Sequence, residues 1–435
     1  MKNAIVIFSM LLLFGCDSGQ SPEQAPAEPE TTQSEAVEDP AEASAEEETA
    51  AAEAPEAREP EEDRPPNASD QEPAFENQTR APKPAETENW TVETVAEGLE
   101  HPWALEFLPD GSMLVTERPG RLRHVTADGE ISDPIAGVPE VDNHNQGGLL
   151  DIALAPDFES SRVVYLSFSE PHEDETNNTA VARARLNDAG DALEDVEVIF
   201  SQYPAVESTG HFGSRIVFQD DNTIWVTMGD RQGHPVRQNA QDPTNLIGTV
   251  ARIHTDGSIP DDNPFVDHED NAPEIWSWGH RNIQAAARDE DGHLWTIEHG
   301  PRGGDELNRP EPGKNYGWPT IAYGIEYSGD PVYEGLTEHE GMEQPVYYWD
   351  PVIAPSGMTF YQGDLFPGWQ GDIFVGGLAS ERVSRLVLED GRVTAEEWLP
   401  IDHRVRDVRE GPEGALYLVT DESDGQVLRI VPETD

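Results

Sequence analysis

Short runs of apolar and aromatic residues alternate with turns rich in Gly, Pro, Asp and Asn from Trp90 to the end of the chain. The runs have the length of strands, and no long stretch shows the periodicity of an amphipathic helix. The pattern therefore predicts an all-β domain over residues 90–435.

One unit recurs in this region: a turn with Pro, Asp or Gly leads into an apolar strand, and a loop and a second strand follow. Its copies begin at Leu108, Ala155, Gln219, Asp289, Gly368 and Gly411. Such repeats at irregular intervals predict a six-bladed β-propeller with long insertions. A pair of β-sandwiches is the alternative, but sandwiches do not repeat a turn and a strand in this way. The longest insertion, from about His299 to Gly341, is expected on one face, where it helps to build a site.

Residues 16–89 have a different composition, dominated by Ala, Glu, Pro, Ser and Thr with almost no large apolar side chain. Such a segment cannot bury enough surface to offset the entropy lost on ordering. We therefore predict a disordered acidic tether whose removal leaves turnover unchanged.

Residues 1–15 have the pattern of a signal peptide: Lys2, an apolar run over 4–14 and a small residue before Cys16. The run is too short to span a bilayer comfortably. The sequence Leu13-Phe14-Gly15-Cys16 resembles a bacterial lipobox, although Phe14 is unusual in it. This predicts export and acylation of Cys16, with the protein anchored by lipid at the cell envelope, on the periplasmic side of a membrane or at the cell surface. A plain secretory signal is the alternative.

The formal net charge is −60, and the lysines are Lys2, Lys83 and Lys314. So anionic a surface repels nucleic acid and anionic membranes, which excludes nucleic-acid binding and leaves the lipid anchor as the membrane contact. The composition favours a protein adapted to concentrated salt, with an ordinary acidic secreted protein as the alternative. Because Cys16 is the single cysteine, an intramolecular disulfide and a cysteine-based zinc site are also excluded.

Polar and glycine-rich clusters interrupt the predicted strands. His211 and Asp230 each lie close to the end of a predicted strand, where a histidine and a carboxylate could form a general base and the group that orients it. The loop 298–306 offers carbonyls and carboxylates, the hard oxygen ligands that calcium prefers. Arginines in an acidic protein indicate an anionic ligand, because a guanidinium pairs with a carboxylate through two hydrogen bonds. Each cluster taken alone also has a structural interpretation, such as a turn or an Arg–Asp pair between blades.

Several motifs in order resemble those of the soluble pyrroloquinoline-quinone (PQQ) aldose dehydrogenases, the glucose/sorbosone dehydrogenase family. The resemblance runs from about His101 to Arg429. The motifs are His101-Pro-Trp-Ala-Leu, Gln146-Gly-Gly-Leu-Leu-Asp, Pro260-Asp-Asp-Asn-Pro-Phe, Glu274-Ile-Trp-Ser-Trp-Gly-His-Arg-Asn, the run from Glu298 to Pro319, and Arg404-Val-Arg-Asp-Val.

The resemblance implies an enzyme that oxidises an aldose at C1 to the lactone, by hydride transfer to PQQ, and passes electrons to an external acceptor. His211 would be the general base that removes the proton of the anomeric hydroxyl, Asp230 would orient it, and Gln146 would contact the sugar or the quinone. The implied cofactor ligands are Arg281 and Asn282, which would hold the quinone, and Arg404 and Arg406, which would neutralise its carboxylates.

The resemblance also implies two calcium ions. The catalytic one would take the carbonyls of Gly300 and Pro301, and a structural one would take Glu306 and the carbonyl of Tyr316. One departure concerns a lysine that members of the family carry near the quinone. The corresponding segment, 377–382, has no lysine. Arg382 is the candidate to replace it, although its register does not match, and the departure concerns quinone affinity or reoxidation rate rather than the fold.

Two other functions remain open at this stage. A calcium-dependent sugar lactonase would need carboxylate and Asn side chains that converge on a central metal, and would have no use for the arginines. A non-catalytic propeller that binds sugars would show no activity with quinone and calcium.

Overall fold

The computed structural model describes residues 58–433 except position 221, and within them the strands form six sheets arranged as the blades of a propeller. The prediction of an all-β six-bladed propeller is confirmed. The first five blades comprise β2 (Pro102–Phe107), β3 (Met113–Glu117) and β4 (Arg121–Val125); β5 (Leu149–Leu154), β6 (Val163–Pro171), β7 (Asn177–Leu186) and β8 (Leu193–Ser201); β9 (Ile216–Phe218), β10 (Thr223–Thr227), β11 (Thr249–His254) and β12 (Ile275–Trp278); β13 (Ile283–Arg288), β14 (Leu294–Glu298), β15 (Asp305–Asn308) and β16 (Tyr347–Trp349); and β17 (Pro355–Phe360), β18 (Ile373–Gly377), β19 (Arg382–Glu389) and β20 (Arg392–Pro400).

The last blade joins the two ends of the domain. It contains β21 (Val405–Glu410), β22 (Leu416–Thr420) and β23 (Gly425–Pro432), and its outermost strand is β1 (Trp90–Leu99), which pairs antiparallel with β23. The innermost strands are in contact around the ring, and β21 contacts β2. The ring is thus closed by backbone hydrogen bonds, which removes one pair of free sheet edges.

Helical structure in the described residues is confined to short turns. They are α1 (Phe158–Ser161) and two 3-10 turns, Val236–Gln241 and Pro367–Trp369. Within the same residues, no helix combines the length and apolar character needed to cross a bilayer.

The predicted repeat unit occupies the same position in every blade. Each turn lies in the connection between the first and second strands of a blade, and the second strands β3, β10, β14, β18 and β22 are buried at every position. These strands lie in the middle of their blades, and neighbouring blades cover both of their faces. They therefore appear in the sequence as continuous apolar runs without polar alternation.

The N-terminal part of the described chain corrects one prediction. Residues 58–89, called the strap below, run along the outer edges of the fourth and fifth blades. The backbone N–H of Tyr348 on β16 donates to the carbonyl of Gln78 at 2.8 Å, and Glu396 on β20 donates to Pro82 at 3.1 Å. The side chain of Gln78 is fully buried.

The predicted disordered tether is therefore wrong for residues 58–89. The strap has no apolar core of its own, but its backbone satisfies groups at sheet edges, which a composition-based prediction does not count. The rest of the predicted tether, the signal peptide and Cys16 lie outside the described residues.

Candidate active site

A polar cavity of about 350 Å³ opens at one end of the propeller axis. Its lining residues are Trp103, Arg118, Asn145, Gln146, Leu150, Phe212, Gly213, Asn282, Gln284, His299, Ala354, Leu378, Arg404, Arg406 and Asp421. Nearly all lie near the start of a first strand or directly after a second strand. Because consecutive strands of a blade are antiparallel, those two positions meet at the same face of the ring.

His211 and Asp230 are brought together beside this cavity. His211 Nδ1 lies 2.6 Å from Asp230 Oδ1, and both side chains are buried. Asp230 Oδ2 accepts a hydrogen bond from Trp318 Nε1 at 2.7 Å, and Oδ1 also accepts one from the backbone N–H of Gln232 at 2.8 Å. The carboxylate is thus fixed from several sides, so it can hold the imidazole in one orientation.

The loop that carries His211 is held against the cavity wall. The backbone N–H of His211 donates to Gln146 Oε1 at 2.8 Å, and the next two residues, Phe212 and Gly213, line the cavity. Glycine at position 229 permits the approach of the two loops, because a Cβ there would lie 2.1 Å from the carbonyl oxygen of His211. A side chain at position 229 would therefore separate His211 from Asp230.

The electrostatics of this pair favour a neutral base beside an ionised acid. Burial lowers the pKa of His211, Asp230 opposes this effect, and the positive charge of Arg281 adds to it. Burial alone would raise the pKa of Asp230, but the charge and hydrogen bond of His211, with the charge of Arg281, leave that pKa lowered. An ionised Asp230 accepts the proton on Nδ1, which leaves the lone pair of His211 on Nε2.

Part of the cavity lining is positively charged. Arg406 Nη2 lies 2.7 Å and Arg404 Nη2 lies 3.2 Å from the same oxygen, Asp421 Oδ2. Although burial favours the protonated acid, Arg406 and Arg404 hold the pKa of Asp421 well below its usual range. Arg118 also lines the cavity. Within the described residues, three arginines of the lining thus face one carboxylate.

The Nε atoms of Arg118, Arg281 and Arg406 are buried and have no hydrogen-bond partner within the part of the chain that the structure describes. Because these atoms expose almost no surface, a ligand in the cavity would instead meet the exposed part of the Arg404 side chain, which is 44% exposed. The lining, with three arginines and one carboxylate, suits a ligand that carries carboxylates.

Arg281 and Asn282 lie on the chain segment that enters β13. Asn282 lines the cavity, and its Oδ1 accepts from the backbone N–H of Gly213 at 3.2 Å. Arg281 lies behind the lining, with its guanidinium 5.1 Å from the Trp318 ring centroid and Nη1 2.9 Å from the carbonyl of His299. Burial and the charge of Arg281 lower the pKa of His299 to about 3, so this histidine is neutral.

The loop that carries the predicted calcium ligands Gly300 and Pro301 comes directly after His299. No backbone N–H of the described chain donates to the carbonyl of Gly300 or Pro301. The loop is held by the buried Asp305, whose Oδ1 accepts from the N–H of Gly300 at 2.8 Å and whose Oδ2 accepts from those of Ile353 and Ala354 at 2.8 Å each. Two carbonyl oxygens are thus free for a hard cation.

Glu306 and Tyr316 belong to a second cluster. Glu306 lies opposite Glu298 across the β14–β15 pair, and Asn308 Nδ2 contacts both carboxylates, at 3.3 and 3.0 Å. Burial first, and then the charge of Glu298, raise the pKa of Glu306 well above its usual value. Tyr316 stacks at 4.8 Å on His280, and His280 Nδ1 lies 2.9 Å from Glu298 Oε1. Two carboxylates this close favour a cation between them, although no group of three or more His, Cys, Asp or Glu side chains with metal-site geometry occurs in the described residues.

The segment that lacks the lysine contributes Leu378 to the lining. The guanidinium of Arg382 lies 3.5 Å from the centroid of the Trp398 ring, and Arg382 does not line the cavity. Arg382 therefore does not take the place of the missing lysine.

Several residues of the site were not assigned by sequence reasoning. The most important are Trp318, which fixes Asp230, and Arg118, His299 and Asp421, which line the cavity. The latter three directly follow the second strands β3, β14 and β22. The predicted repeat locates each second strand, and it could therefore have been used to propose the residue that follows the strand as a site residue.

The fold and the site define a β-propeller enzyme with a buried His–Asp pair beside an arginine-lined cavity. The sequence matches the profile of the glucose/sorbosone dehydrogenase family over residues 99–429. The chain belongs to this family of oxidoreductases, which confirms both the resemblance and the enzyme class.

Three relatives illustrate the similarity. The aldose sugar dehydrogenase YliI of Escherichia coli (strain K12) is 45% identical over 350 residues, which cover 78% of this chain and 92% of the relative. The crystal structure of the soluble aldose sugar dehydrogenase from Escherichia coli in the apo-form has a TM-score of 0.76 at 44% identity, covering 79% of this chain and 100% of that one. The PQQ-bound form of the aldose sugar dehydrogenase from Streptomyces coelicolor has a TM-score of 0.65 at 28% identity, covering 80% and 99%.

Proposed function

We propose that the protein oxidises aldose sugars at C1 to the lactone, using PQQ and calcium, with His211 as the general base. The observation that carries this proposal is the buried His211, held by Asp230 and followed directly by Phe212 and Gly213, which line an arginine-rich cavity in a protein of net charge −60.

The chemistry of the residues fits the cofactor. Arg404 and Arg406 would bind carboxylates of the quinone, Asn282 would contact it, and Arg281 would support the wall from behind. The carbonyls of Gly300 and Pro301 would hold the catalytic calcium, and Glu306 with the carbonyl of Tyr316 would belong to a structural one. When bound, the quinone and calcium supply an electrophilic hydride acceptor, which no amino-acid side chain provides. The PQQ-bound form of the aldose sugar dehydrogenase from Streptomyces coelicolor, which is 28% identical to this chain, supports PQQ as the cofactor.

The side chains of the protein handle the proton. His211 Nε2 accepts the proton of the anomeric hydroxyl as the C1–H bond breaks, and Asp230 stabilises the imidazolium that results. Gln146, whose Oε1 holds the backbone of His211, would orient the sugar through its amide. An external acceptor would take up the electrons, and His211 would return its proton to solvent before the next turnover.

Reconstitution tests the proposal. The purified protein is titrated with PQQ and calcium chloride, and the absorbance spectrum and the oxidation of an aldose panel are followed with an artificial electron acceptor. We expect saturable activity that depends on both additions, that chelation abolishes and that calcium restores. Absence of sugar oxidation under saturating PQQ and calcium would contradict the proposal and favour the non-catalytic sugar-binding propeller.

A calcium-dependent lactonase fits the site less well. It requires side-chain ligands that converge on a central metal, whereas the cavity in the described residues is lined by arginines and amides around one carboxylate. Lactone hydrolysis by the protein with calcium and without PQQ would revive this alternative.

We also propose that the protein is exported and anchored to the cell envelope through acylated Cys16. The supporting pattern is the apolar run that ends in Leu13-Phe14-Gly15-Cys16. Metabolic labelling with a radioactive fatty acid should mark the wild-type protein, and Cys16→Ser should abolish the label and release soluble protein. Equal labelling of both would exclude Cys16 as the acylation site.

A further inference from the structure

We propose that the strap positions the calcium-binding loop, and that Asn67 and Asp350 are the positioning residues that connect the two. The inference rests on the proposed function in one respect, the assignment of the Gly300 and Pro301 carbonyls to calcium. The strap lies outside residues 99–429, the part of the chain that matches the family.

The first link is between the strap and Asp350, which follows β16. Asp350 Oδ1 accepts from the backbone N–H of Asn67 at 2.8 Å and from its Nδ2 at 2.7 Å, and Oδ2 accepts from the N–H of Ala68 at 2.9 Å. Asp350 is 5% exposed. A buried carboxylate needs such donors, and among the described residues they all come from the strap.

The second link is between Asp350 and the loop 299–305. Gly303 has a φ of +92°, and a Cβ at this position would lie 2.7 Å from Asp350 Oδ1. The carboxylate therefore packs directly against the backbone of the loop. Asn67 also contacts the loop, because its Oδ1 accepts from Arg302 Nε at 3.0 Å. One strap side chain thus holds both the carboxylate and the loop.

A second strap residue holds the loop through the long insertion. The side-chain amide of Gln71 donates to the carbonyl of Gly324 at 3.2 Å and accepts from its N–H at 2.7 Å. Ile325, the next residue, exchanges two backbone hydrogen bonds with Arg302, at 2.8 and 3.0 Å. Gln71 of the strap therefore supports the loop indirectly, through residues 324 and 325 of the insertion.

The loop transmits this support to the cavity. It begins with His299, which lines the cavity, and continues with the two free carbonyls of Gly300 and Pro301. The position of these two carbonyls depends on the backbone of residues 300–305. Asp305 holds this backbone at Gly300, and Asp350 and Asn67 contact it at Gly303 and Arg302. Loss of groups that orient metal ligands typically weakens metal binding tenfold or more, although the ligands themselves are intact.

The test compares Asn67→Ala with a matched strap variant, Phe75→Ala, in the full chain. Phe75 packs under Arg392, whose guanidinium carbon lies 4.7 Å from the ring centroid, at the outer edge of the fifth blade. Both substitutions loosen the strap, but only the first removes contacts to Asp350 and the loop.

Calcium affinity in the presence of PQQ is measured by titration, together with hydrogen–deuterium exchange of the amides of Gly300 and Gly304 and with the Tm. We expect Asn67→Ala to raise the calcium Kd by about tenfold and to speed exchange of both amides, with turnover restored at saturating calcium. Phe75→Ala should lower the Tm while leaving the Kd and the exchange rates near wild type.

The possible outcomes distinguish a failure of the inference about the strap from a failure of the proposed function. If wild type binds calcium and both variants keep its Kd and exchange rates, the strap only adds stability and the inference is overturned. If wild type binds no calcium, the proposed function fails, and the inference about calcium fails with it. In that case the exchange rates still report whether Asn67 orders the loop.

Discussion

Two groups of arginines lie close to the axis of the propeller, and they differ in how their charge is balanced. The axial network consists of Arg215, Arg409, Asp151 and Asp407. Arg215 lies 2.9 Å from Asp151 and 2.8 Å from Asp407, and Arg409 lies 3.4 and 3.3 Å from the same two carboxylates. The cavity arginines, Arg118, Arg404 and Arg406, share Asp421 as the one carboxylate of the cavity lining in the described chain.

The two groups are neighbours in sequence as well as in space. Arg406 of the cavity and Asp407 and Arg409 of the axial network all lie on β21. Near the axial network, burial raises the pKa of Glu106 to about 7; Arg409 opposes this rise, and Asp151 and Asp407 add to it. An additional negative charge is thus disfavoured where the charges already balance. The balanced group therefore joins the blades, whereas the unbalanced group is suited to an anionic ligand.

The largest expected effect concerns the base beside the unbalanced group. His211→Ala should lower turnover by about two to four orders of magnitude, because proton removal from the sugar then lacks a positioned acceptor. Binding of PQQ should stay near wild type. Stopped-flow kinetics at saturating sugar, with a PQQ titration as the control, would check this; unchanged turnover removes His211 as the base.

The same substitution at one arginine of each group tests the comparison directly. Arg215→Met should lower the free energy of unfolding by about 3–5 kcal/mol, because two buried carboxylates would then share one arginine, Arg409, and a buried negative charge would be left unbalanced. Urea denaturation of the protein without cofactor measures the effect. A loss below about 1 kcal/mol would show that the axial network does not join the blades.

Arg406→Met is the matched variant in the cavity. Without the Arg406 guanidinium, Asp421 is still paired with Arg404, so the free energy of unfolding should change little. The Kd for PQQ should rise by about tenfold or more. Fluorescence titration with PQQ at saturating calcium provides the measurement. Unchanged affinity would remove Arg406 from the cofactor site.

The smallest expected effect is a shift in pH dependence. His211 must be neutral to accept a proton, and burial together with Arg281 lowers its pKa, so kcat/KM should persist below pH 6.5 and decline as the pH falls through that lowered pKa. Arg281→Met removes a positive charge near the imidazole and should move this decline to higher pH. A decline of the wild-type enzyme that begins above pH 6.5 would contradict the assigned electrostatics.

Much of the fold could be predicted because it is local. The six turn-and-strand units identify the connections between first and second strands, since a buried strand needs a continuous apolar run wherever it lies in the ring. The pairing of His211 with Asp230 could also be inferred, because His211 lies shortly before β9, Asp230 lies shortly after β10, and the two side chains carry complementary chemistry. The role of Trp318 could not, because this residue reaches Asp230 from an insertion 88 positions away.

The propeller, its six repeats and the residue types of the site could be read from the chain, because apolar runs and side-chain chemistry indicate them. The folded structure decided which arginines are neutralised, because the partners of Arg215 come from β5 and β21, far apart in the chain. It also decided that residues 58–89 are part of the domain. The physical reason is the same in both cases: hydrogen bonds and ion pairs through space depend on positions that no local pattern of hydrophobic and polar residues encodes.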